Sequence, residues 1–320
     1  MSDSAADTLT DSKTQLAGSF EALRVGDFET AQSIFGAILK SDYSNSVAES
    51  GMRFCKHWSG RFVKIVQVNN DLDKAKKLID EWMEYLKFTE KHKGIHSRVK
   101  SCGLYLVFNT ALKCLLRYQK DNRTNDNHLV FLTAVCYKMI GDYEKAINGF
   151  EQCLEHSKND ANSMAQLADC YASVDEEKKS KLLFREAFFI DPQTINLDII
   201  ESAIVSATIE KTKEHNEPLA ALRYMIPVYG RIYNILNVCR DMLSIEIGRL
   251  EKEIFAAEKI VLAQSVNKNP QLTARLLNCY FWMYDYLMIR NNDKYKILEI
   301  ESSIKSVNEK IFDLFIKNRG

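Results

Sequence analysis

Residues 127–194 read NHLVFLTAVCYKMIGDYEKAINGFEQCLEHSKND followed by ANSMAQLADCYASVDEEKKSKLLFREAFFIDPQT, two successive segments of equal length. When the second segment is laid under the first, with a shift of 34 residues, similar side chains coincide. The coinciding pairs are Ala134 with Ala168, Tyr137 with Tyr171, Ala146 with Ser180, Phe150 with Phe184 and Cys153 with Ala187. A period of about 34 residues with small and aromatic side chains at fixed places is typical of a helix-turn-helix repeat. The stretch therefore predicts two consecutive helical hairpins.

The shared residues divide each segment into two helices that cross at close range. The first helices are predicted at about 127–139 and 161–173, and the second helices at about 143–156 and 177–190. Small side chains at the crossing let the two backbones approach, and aromatic side chains fill the wider gaps beside it. A single hairpin cannot bury its apolar side alone, so we expect neighbouring hairpins to stack.

The two segments, at 127–160 and 161–194, resemble tetratricopeptide repeats in their length and in the places of their small and aromatic residues. This resemblance implies an all-α fold in which helical hairpins form a right-handed array. It also implies that the first helix of each hairpin lines a concave groove that holds a partner. The groove positions are then His128, Phe131, Leu132, Val135, Lys138 and Met139 in the first copy, and Asn162, Gln166 and Asp169 in the second.

Family members that clamp the C-terminal carboxylate of a peptide carry Lys, Asn and Arg at such groove positions. This chain has Phe131, Val135, Ala165 and Asp169 there instead, which disfavours a carboxylate clamp of that kind. The apolar first copy and the mildly polar second copy would suit an amphipathic helix lying in the groove. The C-terminal helices of the chain itself could fill the same groove, and the sequence leaves both possibilities open.

Weaker copies of the pattern occur in the N-terminal half. Gly26-Asp27-Phe28 repeats the turn found at Gly141-Asp142-Tyr143, and a third version begins at Asn70. These turns predict degenerate repeats near 12–45 and 46–92, followed by a helix at about 97–119. The array is therefore predicted over residues 12–226, irregular at 46–120, after a flexible N-terminus at 1–11.

After Pro192 the repeat period is lost and longer helices are predicted. A helix is expected at 195–213, and the absence of Pro from Val228 to Val266 predicts a single long helix. Its coiled-coil seam is predicted to consist of Ile232, Leu236, Cys239, Leu243, Ile247, Leu250, Ile254, Ala257 and Val261. Two more helices are expected at about 270–290 and 293–316, the last with the seam Ile297, Ile300, Ile304, Val307, Ile311 and Leu314. Residues 227–320 are therefore predicted to form a C-terminal bundle of long helices.

Composition limits the classes of partner and the cellular setting. Lys and Arg together number 43, as do Asp and Glu, so the chain lacks the basic surplus expected of a general nucleic-acid binder. We expect no membrane insertion, because no apolar run approaches the roughly 20 residues that a spanning helix needs. The polar N-terminus and eight cysteines without a Cys-x-x-Cys pair favour a reduced, cytoplasmic protein.

No catalytic or metal-binding motif is visible in the sequence. His92 and His96 have the spacing of two ligands on one helix face, but no third ligand lies near them, and zinc sites need three or four. Phosphate-binding loops, nucleophile elbows and His-Glu-x-x-His motifs are also missing from the sequence. We therefore expect a protein that is not an enzyme and needs neither metal nor cofactor.

The leading hypothesis is a cytoplasmic scaffold or adaptor that binds a protein or peptide partner in the groove. The first alternative is a regulator in which a small molecule or peptide moves the C-terminal bundle against the repeat array. The second alternative is a structural oligomer, a homodimer through Val228–Val266. We favour a monomer, because the seams of the bundle can meet within one chain without the entropy cost of association.

Overall fold

The computed structural model describes residues 3–92, 94–124, 126–263, 269–290 and 293–319, and the side chains from residue 14 onward. Within these ranges the chain is all-α, with fifteen α-helices, one short 3-10 helix and no β-strand. It divides into two compact units, Met1–Gly149 and Phe150–Gly320, and the division falls inside a helix. The predicted all-α class is confirmed.

The first unit is built around one long helix. Its helices are α1 (Asp3–Val25), α2 (Phe28–Ser41), α3 (Ser46–Val66), α4 (Asp71–Lys91), α5 (Ser97–Asn122), α6 (Asn127–Met139) and the first half of α7 (Tyr143–His156). The helix α5 packs against α1, α3, α4 and α6. By length and composition α5 could span a membrane, but half of its most apolar window is buried inside the protein. Its apolar character matches that of a core helix.

Aromatic rings fill the centre of this unit, and glycines make room for them. Phe54 lies against Tyr85 with ring centroids 5.4 Å apart, and against Trp58 at 6.0 Å. A Cβ atom on Gly103 of α5 would lie 2.3 Å from the ring of Phe54, so α5 reaches α3 only because that position has no side chain. The close approach therefore depends on glycine.

The second unit continues with α8 (Ala161–Ser173), α9 (Glu177–Ile190), α10 (Ala203–Glu214), α11 (Leu222–Ile232), α12 (Ser244–Ala263), α13 (Pro270–Arg290), α14 (Lys294–Val307) and α15 (Glu309–Asn318). The helix α13 is buried on nearly every side and packs against α11, α12 and α14. One apolar core joins these helices with α15. The hairpin of α8 and α9 has its own core, centred on Ala168, Phe184 and Ala187.

The helices of the two clear repeats begin and end where the sequence predicted. The turns inside these two hairpins, at Gly141 and Asp175, have left-handed backbone with φ of 86° and 61°, and Gly26 between α1 and α2 has the same conformation with φ of 81°. At each turn the next residue donates its N–H to a carbonyl five residues earlier, as in a Schellman helix ending. The three bonds are Asp27 to Ala22, Asp142 to Tyr137 and Glu176 to Tyr171, each 2.9 Å. The period is thus visible in the backbone itself.

The predicted single helix over Val228–Val266 is wrong. The helix α11 ends at Ile232, residues 233–243 are not α-helical, and α12 begins at Ser244. The Gly230 carbonyl accepts the N–H groups of both Ile235 and Leu236, each at 2.9 Å, and Asn234 has a φ of 55°. This turn folds Leu236 back onto α11, where it is buried. Burial of Leu236 outweighs continuation of the helix.

Two other helix predictions need correction. The predicted helix at 195–213 is a 3-10 turn at Leu197–Ile199 followed by α10, because α8 side chains bind the backbone of the intervening residues. The predicted helix at 293–316 breaks at Asn308, whose side chain caps α15 by accepting the N–H of Ile311. The last seam still faces the core: Ile304, Val307 and Ile311 are buried.

The structure adds detail on the N-terminus, the compact units and the packing of the C-terminal seams. The helix α1 begins at Asp3, inside the segment 1–11 whose flexibility stays a prediction. The compact units divide at residue 149, whereas the sequence suggested a boundary after residue 226. The reason is that α11 packs against α9, and Asp285 of α13 forms an ion pair with Arg185 of α9. Both predicted C-terminal seams pack against α13, which lies between α12 and α14 in the chain.

Candidate binding cleft

The predicted groove residues of the first copy lie on α6 and differ in exposure. His128 is exposed, and Phe131 and Leu132 are partly buried. Val135, Lys138 and Met139 are buried in the first unit. The partner-binding role of all six stays a prediction.

The three predicted groove residues of the second copy contact the chain that follows α9. The carbonyl oxygen of the Asn162 side chain accepts the N–H of Asn196 at 2.9 Å, and the Gln166 amide donates to the Asn196 carbonyl at 3.2 Å. The Asp169 carboxylate accepts the N–H groups of Glu201 and Ser202, the latter at 2.7 Å. These side chains hold the segment 196–202 against α8, and their assignment to a partner stays a prediction.

A cleft of about 490 Å³ lies elsewhere in the second unit, between the α8–α9 hairpin and the helices α12 and α13. Its apolar lining consists of Met164, Phe189, Ile190, Met242, Leu250 and Trp282, and its charged lining of Lys158, Glu186, Arg240, Glu246, Arg249, Glu253 and Arg275. Such a combination of an apolar surface with a few charged groups is typical of a ligand site.

One side of the cleft is organised by Arg240, which lies in the connection before α12. Its guanidinium binds Glu186 of α9, and it binds both carboxylate oxygens of Glu246 at 2.7 and 2.9 Å. Glu246 also accepts the N–H of Leu243 at 2.7 Å, which caps the first turn of α12. The hydrogen bonds from Arg240 lower the pKa of Glu246 to about 2. This side of the cleft is therefore fixed and ionised.

The opposite side is a stack of aromatic rings and guanidinium groups. Arg275 lies 4.2 Å from the ring centroid of Phe189, donates to the Phe189 carbonyl and binds Glu253 at 2.6 Å. Phe189 contacts Trp282 with centroids 5.1 Å apart, and Arg185 lies on Trp282 at 4.6 Å. These contacts join α9 to α13.

Beneath this stack lies a buried group of three charges. Asp285 binds Arg185, and it also binds Arg231 at 2.8 Å. Burial raises the pKa of Asp285, but the charges and hydrogen bonds of the two arginines outweigh burial, so its pKa lies below the usual range. The carboxylate stays ionised and holds α9, α11 and α13 together.

Two cations of the cleft have no carboxylate within ion-pairing distance in the described part of the chain, although Arg249 lies close enough to Glu246 to help lower its pKa. Lys158 and Arg249 are exposed and form no hydrogen bond or ion pair within the described residues. The three glutamates of the cleft are all paired with arginine. The charge available to a ligand is therefore positive.

A second depression of about 520 Å³ adjoins the cleft. Its lining shares Ile190 and Arg275 with the cleft and continues past Pro192 to Tyr224 and Leu272. The two depressions thus form a track along the C-terminal end of α9. An elongated ligand fits such a track better than a compact one.

The sequence did not indicate this track, because its parts lie far apart in the chain. Arg240 and Glu186 are separated by 54 residues, and Arg275 and Phe189 by 86. Arg240 and Met242 also lie in the segment that was predicted as helix. Arg185, Phe188 and Phe189 are close together in the sequence, but aromatic residues in an amphipathic helix indicate a buried core and not a binding site.

The histidines that the sequence singled out have local roles at helix ends. His92 is the C-cap of α4, and its ring contacts that of Phe88 with centroids 4.6 Å apart. The ring of His96 caps α5 by accepting the N–H of Arg98. Among the described residues, no group of three or more His, Cys, Asp or Glu side chains could hold a metal ion. Comparison with protein-family models, curated proteins and solved structures gives no match.

Proposed function

We propose that this protein is a non-enzymatic scaffold or adaptor that holds a peptide segment of a partner protein in the track along α9. The observation that carries the proposal is the pair of adjoining depressions that share Ile190 and Arg275. A peptide can run from one depression to the next and place apolar side chains against Phe189 and Trp282. The helical hairpins that support the track are proposed to form a right-handed array of the tetratricopeptide type.

The charge of the track favours a peptide with an acidic side chain or a free C-terminal carboxylate. Lys158 and Arg249 can each bind a carboxylate without breaking a hydrogen bond or an ion pair of the described residues. A cationic peptide would instead have to compete with Arg240 and Arg275 for glutamates that are already bound. We therefore expect anionic peptides with neighbouring apolar residues.

The site supports binding more than catalysis. A general base needs a pKa near the working pH, but the pKa of Glu246 is lowered to about 2. Glu186 and Glu253 likewise bind arginines. Eight free cysteines, six of them buried, support the proposed cytoplasmic setting.

Selection of peptides from a random display library, followed by fluorescence anisotropy with each selected peptide, tests the proposal. We expect binders to contain Asp, Glu or a C-terminal carboxylate beside apolar residues. The double substitution Lys158→Glu with Arg249→Glu should weaken their binding at least tenfold. Selected peptides that bind this variant and the parent equally would show that the track is not the site.

The control is the double substitution Lys294→Glu with Lys310→Glu. Both lysines are exposed on α14 and α15, outside the cleft, and the change in net charge is the same. Peptide binding should be unchanged in this variant. An equal loss in both variants would indicate attraction to the net charge and not to the cleft.

A second candidate function is a regulator in which a bound ligand moves α12 and α13 relative to the α8–α9 hairpin. The observation in its favour is that the cleft walls belong to both groups of helices and are joined across it by Arg240 with Glu186. A ligand that changes the hydrogen exchange of α12 and α13 at a distance from the track would favour the regulator. Protection limited to residues of the track would favour the scaffold.

A further inference from the structure

The helix α12 carries a second stripe on the side opposite to its packed seam. The packed seam consists of Leu250, Ile254, Ala257 and Val261, all buried. The outward stripe repeats at alternating steps of three and four residues and consists of Ile245, Gly248, Lys252, Phe255, Lys259 and Leu262. Its three large apolar side chains are exposed by 62% at Ile245, 59% at Phe255 and 57% at Leu262. None of the residues that the structure describes covers these three side chains.

The stripe contains a glycine, Gly248, whose presence in the middle of α12 is not explained by helix stability. A Cβ atom at this position would meet nothing within 4 Å, so no close contact inside the protein requires glycine there. Glycine inside a helix costs about 0.5–1 kcal/mol relative to alanine. A gap in the side chains of an exposed seam does, however, let a second helix approach the backbone closely. The gap is therefore suited to a contact with another molecule.

We propose that the outward stripe of α12 binds an acidic amphipathic helix of a partner protein. The alternating steps of three and four residues are the repeat of a coiled-coil seam, which a second helix matches along its length. Lys252 and Lys259 lie within the seam and form no ion pair in the described part of the chain. The ammonium group of Lys259 lies 4.1 Å from the centroid of Phe255. A partner helix with Glu opposite these lysines and Leu opposite Phe255 would complement both the charge and the shape.

Charge distinguishes this partner from the two other possible occupants. In a second copy of the chain, either orientation would bring four lysines and no carboxylate into one seam, and like charges repel. A helix that lies on a membrane keeps its cations on the polar face, whereas Lys252 and Lys259 lie between Ile245, Phe255 and Leu262 in the middle of the apolar stripe. Of the three occupants, only an acidic helix places a carboxylate opposite each of the two lysines.

The stripe goes beyond the proposed track, because none of its six residues lines that cleft. A chain with a peptide track and a separate helix-binding stripe can hold two partners at once. Binding at the stripe and binding in the track can therefore be tested independently of each other. Lys158→Glu, which changes the track outside α12, should leave binding at the stripe unchanged.

The experiment uses the full chain and two synthetic helical peptides of three heptads, with Leu at one seam position and either Glu or Lys at the other. We expect the Glu peptide to bind at least tenfold more tightly than the Lys peptide in isothermal titration. The double substitution Lys252→Glu with Lys259→Glu should reverse this preference, while Lys294→Glu with Lys310→Glu should not affect it. A structural role of the two lysines would not produce a reversal.

Substitution of Gly248 gives a second and independent readout. Gly248→Leu should raise the thermal midpoint of the protein, since leucine is the better helix former, and should weaken binding of the Glu peptide at least tenfold. Equal binding of the Glu and Lys peptides, including no binding of either, would overturn the proposal. A dimer that Phe255→Ser dissociates would assign the stripe to a second copy. Lysine-dependent sedimentation with phosphatidylserine vesicles would assign it to a membrane.

Discussion

Gly103 is the single position that decides how closely α5 approaches α3. A Cβ atom there would lie 2.3 Å from the ring of Phe54, and Phe54 is fully buried among Trp58, Trp82 and Tyr85. The ring has no space to move into, because its neighbours are aromatic side chains in close contact. The distance between α5 and α3 at this position is therefore possible only because residue 103 has no methyl group.

Gly103→Ala should therefore destabilise the protein by about 1–3 kcal/mol, the usual cost of overpacking a core. Gly60→Ala is the matched control in α3, since a Cβ atom there meets nothing within 4 Å. The control should stabilise by about 0.5–1 kcal/mol, because alanine is the better helix former. Urea unfolding followed by tryptophan fluorescence measures both. A stable Gly103→Ala variant would contradict the close contact between α5 and Phe54.

Asp285 is the corresponding residue of the second unit. It is 4% exposed and is the common partner of Arg185 and Arg231. Asp285→Asn removes the negative charge and leaves two guanidinium groups facing each other in the core. We expect a loss of about 3–5 kcal/mol, the usual cost of breaking a buried ion pair. Asp241→Asn, which breaks the exposed pair with Arg290, should have a much smaller effect in the same unfolding experiment.

The cysteines should react with alkylating agents according to their burial. Cys102 and Cys239 are partly exposed, and the other six cysteines are buried. Burial raises the pKa of Cys55 to about 12 and that of Cys153 to about 11, and it also raises the pKa of Cys102 and Cys239, so exposure of the side chain and not its pKa distinguishes the two groups. Mass spectrometry after brief iodoacetamide treatment at pH 8 should find label mainly on Cys102 and Cys239. Eight labelled thiols are expected after denaturation without reductant, and any disulfide would contradict the thiol assignment.

At the scale of the elements, the hairpin of α8 and α9 is the unit that the sequence described best. Ala168 is fully buried where the two helices cross, in one cluster with Phe184 and Ala187. The turn between the helices uses Asp175 in a left-handed conformation, where the earlier copies use Gly26 and Gly141. Residues within the segment itself, which cap the helices and end them, are therefore enough to predict this hairpin.

Ala168→Leu should force α8 and α9 apart, since the crossing has no room for three more carbon atoms. The expected cost is about 1–3 kcal/mol, measured as a lower thermal midpoint by circular dichroism. Ala172→Leu is the control on the same helix, because Ala172 is partly exposed. Equal midpoints for the parent and Ala168→Leu would show that the assigned crossing is wrong.

At the scale of the whole molecule, ion pairs in both units set the limit of stability at low pH. In the first unit, hydrogen bonds from Arg117 lower the pKa of Asp71 to about 2. In the second unit, hydrogen bonds from Arg240 lower the pKa of Glu246 to about 2, and the pKa of Asp285 is also lowered. A carboxylate with a lowered pKa in the folded state stabilises the protein above its unfolded pKa, and this contribution is lost as the pH falls.

The free energy of unfolding should therefore fall between about pH 4.5 and 2, below a smaller decrease that begins near pH 6.5 because burial lowers the pKa of His57. Urea unfolding at a series of pH values measures it. The double substitution Asp71→Asn with Glu246→Gln should lower stability at pH 7 and flatten the dependence below pH 4.5. An unchanged slope in this variant would show that other carboxylates dominate acid unfolding.

The sequence by itself determined the all-α class and the ends of the four helices between residues 127 and 190. Those features depend on contacts within a few residues, such as the Asp160 side chain that caps α8 and the turn at Gly141. The spacing of Leu250, Ile254, Ala257 and Val261 likewise identified the buried face of α12, because helical periodicity is local.

Only the tertiary structure decided where the long C-terminal segment breaks and which residues form the track. The chain turns after Ile232 because Leu236 gains burial against α11, a contact that no periodicity encodes. Arg185 forms an ion pair with Asp285, which lies 100 residues away in the sequence, and Arg240 forms one with Glu186, which lies 54 residues away. A charged residue on an amphipathic helix looks like surface in the sequence. Whether it is buried with a partner depends on which distant helix packs against it, and that is settled by the free energy of the whole core.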